Sequence, residues 1–319
     1  MVPLLYGKGE ELLNFSVRPV SPEYSPAPSP SGWKNALRTL YLNTLGSPAL
    51  STELSAHADS SNETYGGSYL YDTLYFWEPE WLKHLIDYCA PSKTPVLILG
   101  GGTGQEAFAI ARSGLDCVMI DQSPAMLEGA IKRFQTLSSP ERARIRLFNR
   151  DIRTLEWLGR FDRIICVGGP ATFLGGEEEI ARFFRWVHAS LLDSGEFLFD
   201  IFNIHYWKTR SHLGKGRWQH WFTGRQGTHV WIRSFEGSVP HTFDFQKAVS
   251  LAGGKPHRCR RDRVALLPIP LWISLCERSG LKCRGISPSL RREFTAHQLG
   301  NHFKSTNMPL FLCEKGVPE

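Results

Sequence analysis

Residues 95–126 read PVLILGGGTGQEAFAIARSGLDCVMIDQSPAM, and no other stretch narrows the fold as far. Val96, Leu97, Ile98 and Leu99 form an unbroken apolar run, the pattern of a parallel strand buried on both faces, and Gly100, Gly101, Gly102 and Gly104 follow at once. Glycines at that junction let the chain turn sharply and let a ligand approach bare backbone where a Cβ would intrude. A helix then points its N-terminus at the ligand, and a second apolar run, residues 117–120, ends at Asp121. There a carboxylate can accept hydrogen bonds from both hydroxyls of a ribose. The unit is predicted to bind a nucleoside-like cofactor. Its identity stays open at this point, because Gly102, Gly104 and Ala107 also satisfy the loose dinucleotide fingerprint with an acid about 20 residues on.

The rest of the chain is read outward from this unit. Upstream, residues 17–32 carry five prolines among serines and read as an extended arm. Residues 33–45 read as a short helix, and a further helix is predicted to lead into the strand at 95. Downstream, a helix over 124–134 starts with Ser123 as N-cap, and strands are predicted at 144–148, 160–169 and 196–202. Between the last two lies the clearest helix, 177–192, with Ile180, Phe183, Phe184, Val187 and Leu191 on one face and three glutamates in its first turn. Five strands alternating with helices predict an α/β, doubly wound, mostly parallel sheet. After residue 204 the alternation stops. HYWKTR, RWQHWFTG, HVWIRSFEG and HTFDFQKAV read as strands or hairpin arms of a β-rich insertion after the fifth strand. The parent pattern resumes with a helix at 270–279 and strands at 281–286 and 310–313. The predicted domains are an N-terminal arm and cap (1–66), a cofactor-binding core (67–203), a basic aromatic insertion acting as substrate lid (204–263) and a return to the core sheet (264–319).

Charge is uneven along the chain. The net charge is +6, yet residues 204–263 alone hold twelve Lys and Arg against Glu236, Asp244 and Asp262, so the remainder is weakly acidic. No run approaches 18 apolar residues and the N-terminus meets charge too early for a secretory signal, so a cytoplasmic protein with no membrane partner is expected. The seven cysteines show no C-x-x-C spacing and an odd total, which predicts buried free thiols in a reducing compartment and no metal site.

Taken together, VLILGGGTG, VMIDQSPAML, RDIRTL, FDRIICVGG and SGEFLFDIFN, with the closing SGLKCRGI and PLFLCEKG, resemble the class I S-adenosylmethionine-dependent methyltransferases over about 250 residues. YDTLY upstream, and FDIFN followed by a β-rich insertion, are similar to members acting on amino sugars, glycine and other small metabolites. The resemblance implies a Rossmann-like sheet of seven strands, one antiparallel, and S-adenosylmethionine as cofactor. It implies that Gly100, Gly101, Gly102 and Gly104 pack along the methionine part and ribose, Asp121 holds the ribose, and Gln122 and Met126 lie along ribose and adenine. Asp151 would take the adenine amino group, Ile152 would cover the ring, Cys166 to Gly168 would floor the pocket, and Tyr71 or Tyr75 would close over the methionine end. The chain departs from that family at Ile98, where an acid is common, and at Phe173, where amino-sugar relatives carry a His.

Methyl transfer from a sulfonium is an in-line displacement, so alignment of the reactants can supply roughly 7–11 kcal/mol, and a general base adds about 100- to 10,000-fold only if the acceptor arrives protonated. His205, His220, His229 and His241 are the candidates; His205 is chosen because it follows the fifth strand at the carboxyl edge, where open α/β sheets bind ligands. The insertion's aromatic residues suit a small-molecule acceptor, aromatic or acidic in character, and KPHRCRRDR at 255–263 would steer acidic substrates or RNA. The alternatives are an RNA or protein methyltransferase, a nicotinamide-dependent oxidoreductase, and a non-catalytic cofactor-binding interaction protein.

Overall fold

The structure, a computed structural model, describes residues 71–72, 77–209, 217–223, 229–236, 241–250, 257–287, 290 and 308–316. The chain divides into two units, Met1–Ala58 and Asp59–Glu319, and every described residue lies in the second. The expected proline-rich arm and the helix at 33–45 lie outside the described residues.

Seven strands form the main sheet. In chain order they are β1 (Val96–Leu99), β2 (Cys117–Asp121), β3 (Ile145–Asn149), β4 (Phe161–Cys166), β5 (Leu191–Asp200), β10 (Leu281–Ser287) and β11 (Leu310–Lys315), in the spatial order β10-β11-β5-β4-β1-β2-β3. β1, β2, β3, β4 and β5 pair in parallel, while β11 runs antiparallel to both β5 and β10. The order reverses between β1 and β4, and that switch point is where a doubly wound sheet opens a crevice at its carboxyl edge.

The helices are α1 (Pro79–Cys89), α2 (Gln105–Arg112), α3 (Pro124–Gln135), α4 (Ser139–Arg142), α5 (Glu177–Ser190), α6 (Ile204–Thr209) and α7 (Ile269–Arg278). α3 begins as expected, with the Ser123 hydroxyl accepting from Met126 N–H at 3.2 Å and Pro124 in the first turn. α7 is followed by Gly280 at φ 85°, the left-handed conformation that stops a helix. Two cores flank the sheet. One packs Leu85 and Cys89 of α1 and Ala107, Phe108 and Ile110 of α2 against Ile98 and Met119. Across the sheet, Phe184 of α5 and Trp272 of α7 meet Phe199 at ring-centroid distances of 5.2 and 6.2 Å.

The insertion forms a separate four-stranded antiparallel sheet, β6 (Arg217–Thr223), β7 (His229–Glu236), β8 (Thr242–Ser250) and β9 (His257–Ala265), in sequential order. Two sequence expectations change. HYWKTR, expected as a hairpin arm, lies in α6 over its described residues, 205–209, because the Asn203 side-chain oxygen accepts from His205 N–H at 3.0 Å and nucleates a helical turn. The strand expected from 196 begins at Leu191 and ends at Asp200. Gly195 sits in an irregularity between the pairs Phe161–Leu191 and Arg163–Glu196, where a Cβ would lie 2.8 Å from the Phe161 carbonyl oxygen. No helix among the described residues is long and apolar enough to cross a membrane.

Candidate functional site

The carboxyl ends of β1, β2 and β4 carry most of the expected site. Gly100 and Gly101 N–H both donate to Ile120 O, at 2.8 and 3.1 Å, and Gly102 N–H donates to the Asp121 carboxylate at 2.7 Å. The other Asp121 oxygen accepts from Ser123 N–H at 2.8 Å. Asp121 is thus buried and shapes the glycine loop, and because a carboxylate offers about four acceptor positions this task is compatible with accepting from a ribose.

The glycines divide by what they face. A Cβ on Gly100 would meet Pro170 at 2.6 Å, one on Gly101 would meet Met119 at 2.5 Å, and one on Gly104 would meet Phe108 at 2.6 Å, so these three keep the loop tight against the protein. Gly102, at φ 55°, points instead toward the Tyr71 ring 3.7 Å away. Tyr71 therefore lies over the loop from the N-terminal side; Tyr75 is outside the described residues.

The neighbour of Tyr71 secures this closure. Asp72 accepts from the Thr103 hydroxyl and from Gln105 Nε2 at 3.3 Å, and pairs with Arg133 of α3 at 2.6 Å. Arg133 Nε also donates to Thr103 O at 3.2 Å, so one turn of backbone is tied to both the loop and α3. Gln105 accepts from Trp77 N–H at 3.0 Å, and the Trp77 indole N–H donates to Glu106. Trp77 stacks on Trp81 with ring centroids 3.9 Å apart.

On the β2 and β3 side, Met126 is buried at the start of α3 and Gln122 is exposed. The Asp151 carboxylate is held by Arg153, with bonds of 2.6 and 2.9 Å to its second oxygen, and Arg153 also reaches Gln122 Oε1 at 3.5 Å. Asp151 and Ile152 are half-buried beside them. At β4, Cys166 is fully buried, which pushes its thiol well above the usual range, an effect the nearby Asp200 reinforces. Gly168 is half-buried, and a Cβ there would have only Trp77 within 4 Å, at 3.9 Å.

Two acids complete the site's electrostatics. Glu106 of α2 and Asp200 of β5 are buried, at 5% and 3% exposure. Burial raises Glu106 from its ordinary 4.5 to about 7, against the lowering effect of its hydrogen bonds and with a further rise from Asp200. Burial likewise raises Asp200 from 3.8 to about 7, although Gly168 N–H and Gly169 N–H donate to it at 3.0 and 2.7 Å. His205 lies in the first turn of α6, just past the end of β5, with an exposed side chain. Ile98 is buried in the core, and Phe173 packs edge-on against Phe202 at 5.8 Å. Among the described residues no group of three or more His, Cys, Asp or Glu is placed to hold a metal ion.

Sequence reasoning missed Asp72, Trp77, Glu106 and Asp200. Asp72 was visible as the acid between Tyr71 and Tyr75, and Asp200 as an acid closing an otherwise apolar strand. Glu106 looked like an ordinary first-turn acid.

Comparison with known proteins follows the same geometry. The family described as "Methyltransferase domain" matches residues 96–195, the stretch from β1 into β5. A glycine/sarcosine N-methyltransferase from Parasynechococcus marenigrum is 32% identical over 108 residues, covering 33% of this chain and 36% of that protein. The chain spans about half or less of the length of the curated relatives it matches. Among solved structures, the CcbJ methyltransferase from Streptomyces caelestis superposes with a TM-score of 0.64 at 17% identity, over 80% of this chain and 99% of that one. An S-adenosylmethionine-dependent methyltransferase from Clostridium acetobutylicum gives 0.61 at 18% identity, over 78% and 97%. At these identities the likeness is one of fold. Residues 96–195 thus match a methyltransferase domain, and the fold around them is the one seen in S-adenosylmethionine-dependent methyltransferases.

Proposed function

We propose that this chain is an S-adenosylmethionine-dependent methyltransferase acting on a small-molecule acceptor. The observation that carries the reading is the Gly102–Asp121 arrangement at the switch point of the sheet, inside residues that match a methyltransferase domain. The residues present fit the cofactor: Gly102 leaves a cradle that a Cβ would fill, Tyr71 covers it, and Asp121 supplies a carboxylate suited to a ribose. When bound, S-adenosylmethionine supplies an electrophilic methyl group on a sulfonium.

Within this reading Asp121 orients the ribose, Gln122 and Met126 flank the ribose and adenine, and Ile152 covers the ring. Asp151 serves the adenine edge and Arg153 presets its carboxylate. Tyr71 and the Asp72 clamp exclude water from the loop, and Gly168 leaves room at the floor next to Cys166. Tyr75 is the alternative to Tyr71 for closing over the methionine end. His205 takes a proton from an acceptor nucleophile that arrives protonated; exchange to Ala is expected to lower kcat about 100-fold or more for such an acceptor, and a change of only a few-fold would remove the assignment. The four domains keep the boundaries read from sequence, with 1–66 as cap and 204–263 as the substrate lid, in a cytoplasmic enzyme. The small-molecule acceptor class is supported by the glycine/sarcosine relative. The basic excess of residues 204–263 favours a second reading, in which the acceptor is RNA.

Titration calorimetry with S-adenosylmethionine and S-adenosylhomocysteine tests the reading. The wild-type chain is expected to bind both, and Asp121→Ala to bind at least about 100-fold more weakly, since a charged hydrogen-bonding partner is lost inside a buried site. Unchanged affinity in that variant, or no binding by the wild type, would overturn it.

A further inference from the structure

We propose that Asp200 is a positioning residue of the cofactor site, acting through the Gly168–Gly169 turn at the end of β4. The proposal rests on the reading above and extends it to a buried residue that acts through the backbone it holds. Asp200 ends β5, and its two carboxylate oxygens accept from consecutive backbone N–H groups, Gly168 at 3.0 Å and Gly169 at 2.7 Å. Both glycines have positive φ, at 91° and 83°, backbone that a Cβ would strain. A carboxylate receives them one on each oxygen. The amide of an Asn would present its NH2 to one of the two donors.

The turn is a wedge between the two halves of the site. Pro170, which follows it, packs where a Cβ on Gly100 would stand, at 2.6 Å, so the turn limits the glycine loop after β1. On its other side, the nearest atom to a Cβ on Gly168 is Trp77 Cζ2, and Trp77 is bonded to Gln105 and Glu106 at the start of α2. Gly169 O accepts from Thr172 N–H at 3.0 Å, and the Thr172 hydroxyl accepts from Phe202 N–H at 3.2 Å, which returns the turn to the chain leaving β5. A shift of Gly168 and Gly169 therefore moves Pro170, Trp77 and the glycine loop together. The pair lies at the β1–β4 switch point, where such a shift is felt by the ligand.

The groups that sense Asp200 are Glu106, from α2, and Cys166, from β4, while the residue opposite it on β11 is the apolar Leu310. Asp200 has no ion-pair partner among the described residues, and burial holds its carboxyl at about 7. Above that pH the carboxylate accepts both N–H bonds; below it, the proton occupies one oxygen and competes with one of them. The geometry of the turn is then coupled to pH.

Two measurements test the role. In the ligand-free wild type, the amide resonances of Gly168 and Gly169 are expected to titrate together with a midpoint near Asp200's value of about 7. They are expected to keep that titration in Glu106→Gln and to lose it in Asp200→Asn. In calorimetry with S-adenosylhomocysteine, Asp200→Asn is expected to retain its far-ultraviolet circular dichroism and bind about tenfold or more weakly, with a smaller rise in affinity between about pH 5.5 and about pH 8.5 than the wild type shows. Glycine amides that do not respond to pH, or a folded Asp200→Asn with wild-type affinity and pH profile, would overturn the proposal. If Asp200→Asn does not fold, the wild-type titration decides alone. A wild type that binds neither S-adenosylmethionine nor S-adenosylhomocysteine removes the cofactor reading and this role with it, whereas normal wild-type binding with an unaffected variant removes this role only.

Discussion

Glu106 occupies the first turn of α2, where an acid ordinarily faces solvent and steadies the helix dipole, yet it is 5% exposed and hydrogen-bonded to the Trp77 indole. Its folded value of about 7 lies above the ordinary 4.5, so the folded chain holds the proton more tightly than the unfolded chain. The sign follows from linkage: this carboxyl favours folding most below about pH 4.5, and the benefit is lost as pH rises to about 7. Glu106→Gln keeps an oxygen acceptor for the indole and removes the buried charge. It is expected to raise ligand-free stability by about 1–3 kcal/mol at alkaline pH and by little or nothing in acid, read from denaturant midpoints at both. An equal effect at the two pH values would show that the charge is not what the site tolerates. Asp121 was legible in sequence because strand, glycine loop and terminal acid are adjacent in a known order. Glu106 was not, because its burial depends on Trp77, 29 residues upstream.

At the level of elements, parallel strands announce themselves as short apolar runs, and β1, β2, β3 and β4 were legible to within a few residues. β5 was less so. Its first half carries Asp193, Ser194 and Gly195, and only pairing with β4 makes a strand of it. β11 reads LFLCEK, and nothing in those six residues specifies antiparallel pairing. That direction becomes visible in the register, which sets Phe311 opposite Phe199. Phe197, Phe199 and Phe311 stack with centroids 4.9 and 4.8 Å apart, and Phe184 and Trp272 close the cluster from α5 and α7. Phe199→Ala is expected to destabilise the chain by about 3–5 kcal/mol, measured by chemical denaturation, because four other rings line the volume it would vacate. A loss under about 1 kcal/mol would mean that the cluster repacks freely. α6 was misread because HYWKTR has no helical period of its own; the capping Asn203 that sets it lies just outside the segment.

For the whole molecule, the charge is separated along the chain: residues 204–263, which include β6–β9, hold the basic excess, while residues 96–195, which match a methyltransferase domain, carry as many acids as bases. If the acceptor is a small molecule, turnover is expected to change by no more than about threefold between about 50 and about 200 mM salt. Binding of single-stranded RNA that falls by orders of magnitude over the same range would favour the RNA reading instead. The sequence by itself determined the layer order, the glycine loop, the terminal acid and the existence of a β-rich insertion, because each is carried by neighbouring residues whose spacing has one cheap backbone solution. Only the tertiary structure decided which glycines pack tightly against protein, that Asp72 ties the Tyr71–Asp72 turn to the glycine loop, and that Asp200 holds Gly168 and Gly169. Those arrangements join residues about 30 positions apart, and burial and hydrogen-bond geometry at such range come from how the strands stack, which no local pattern records.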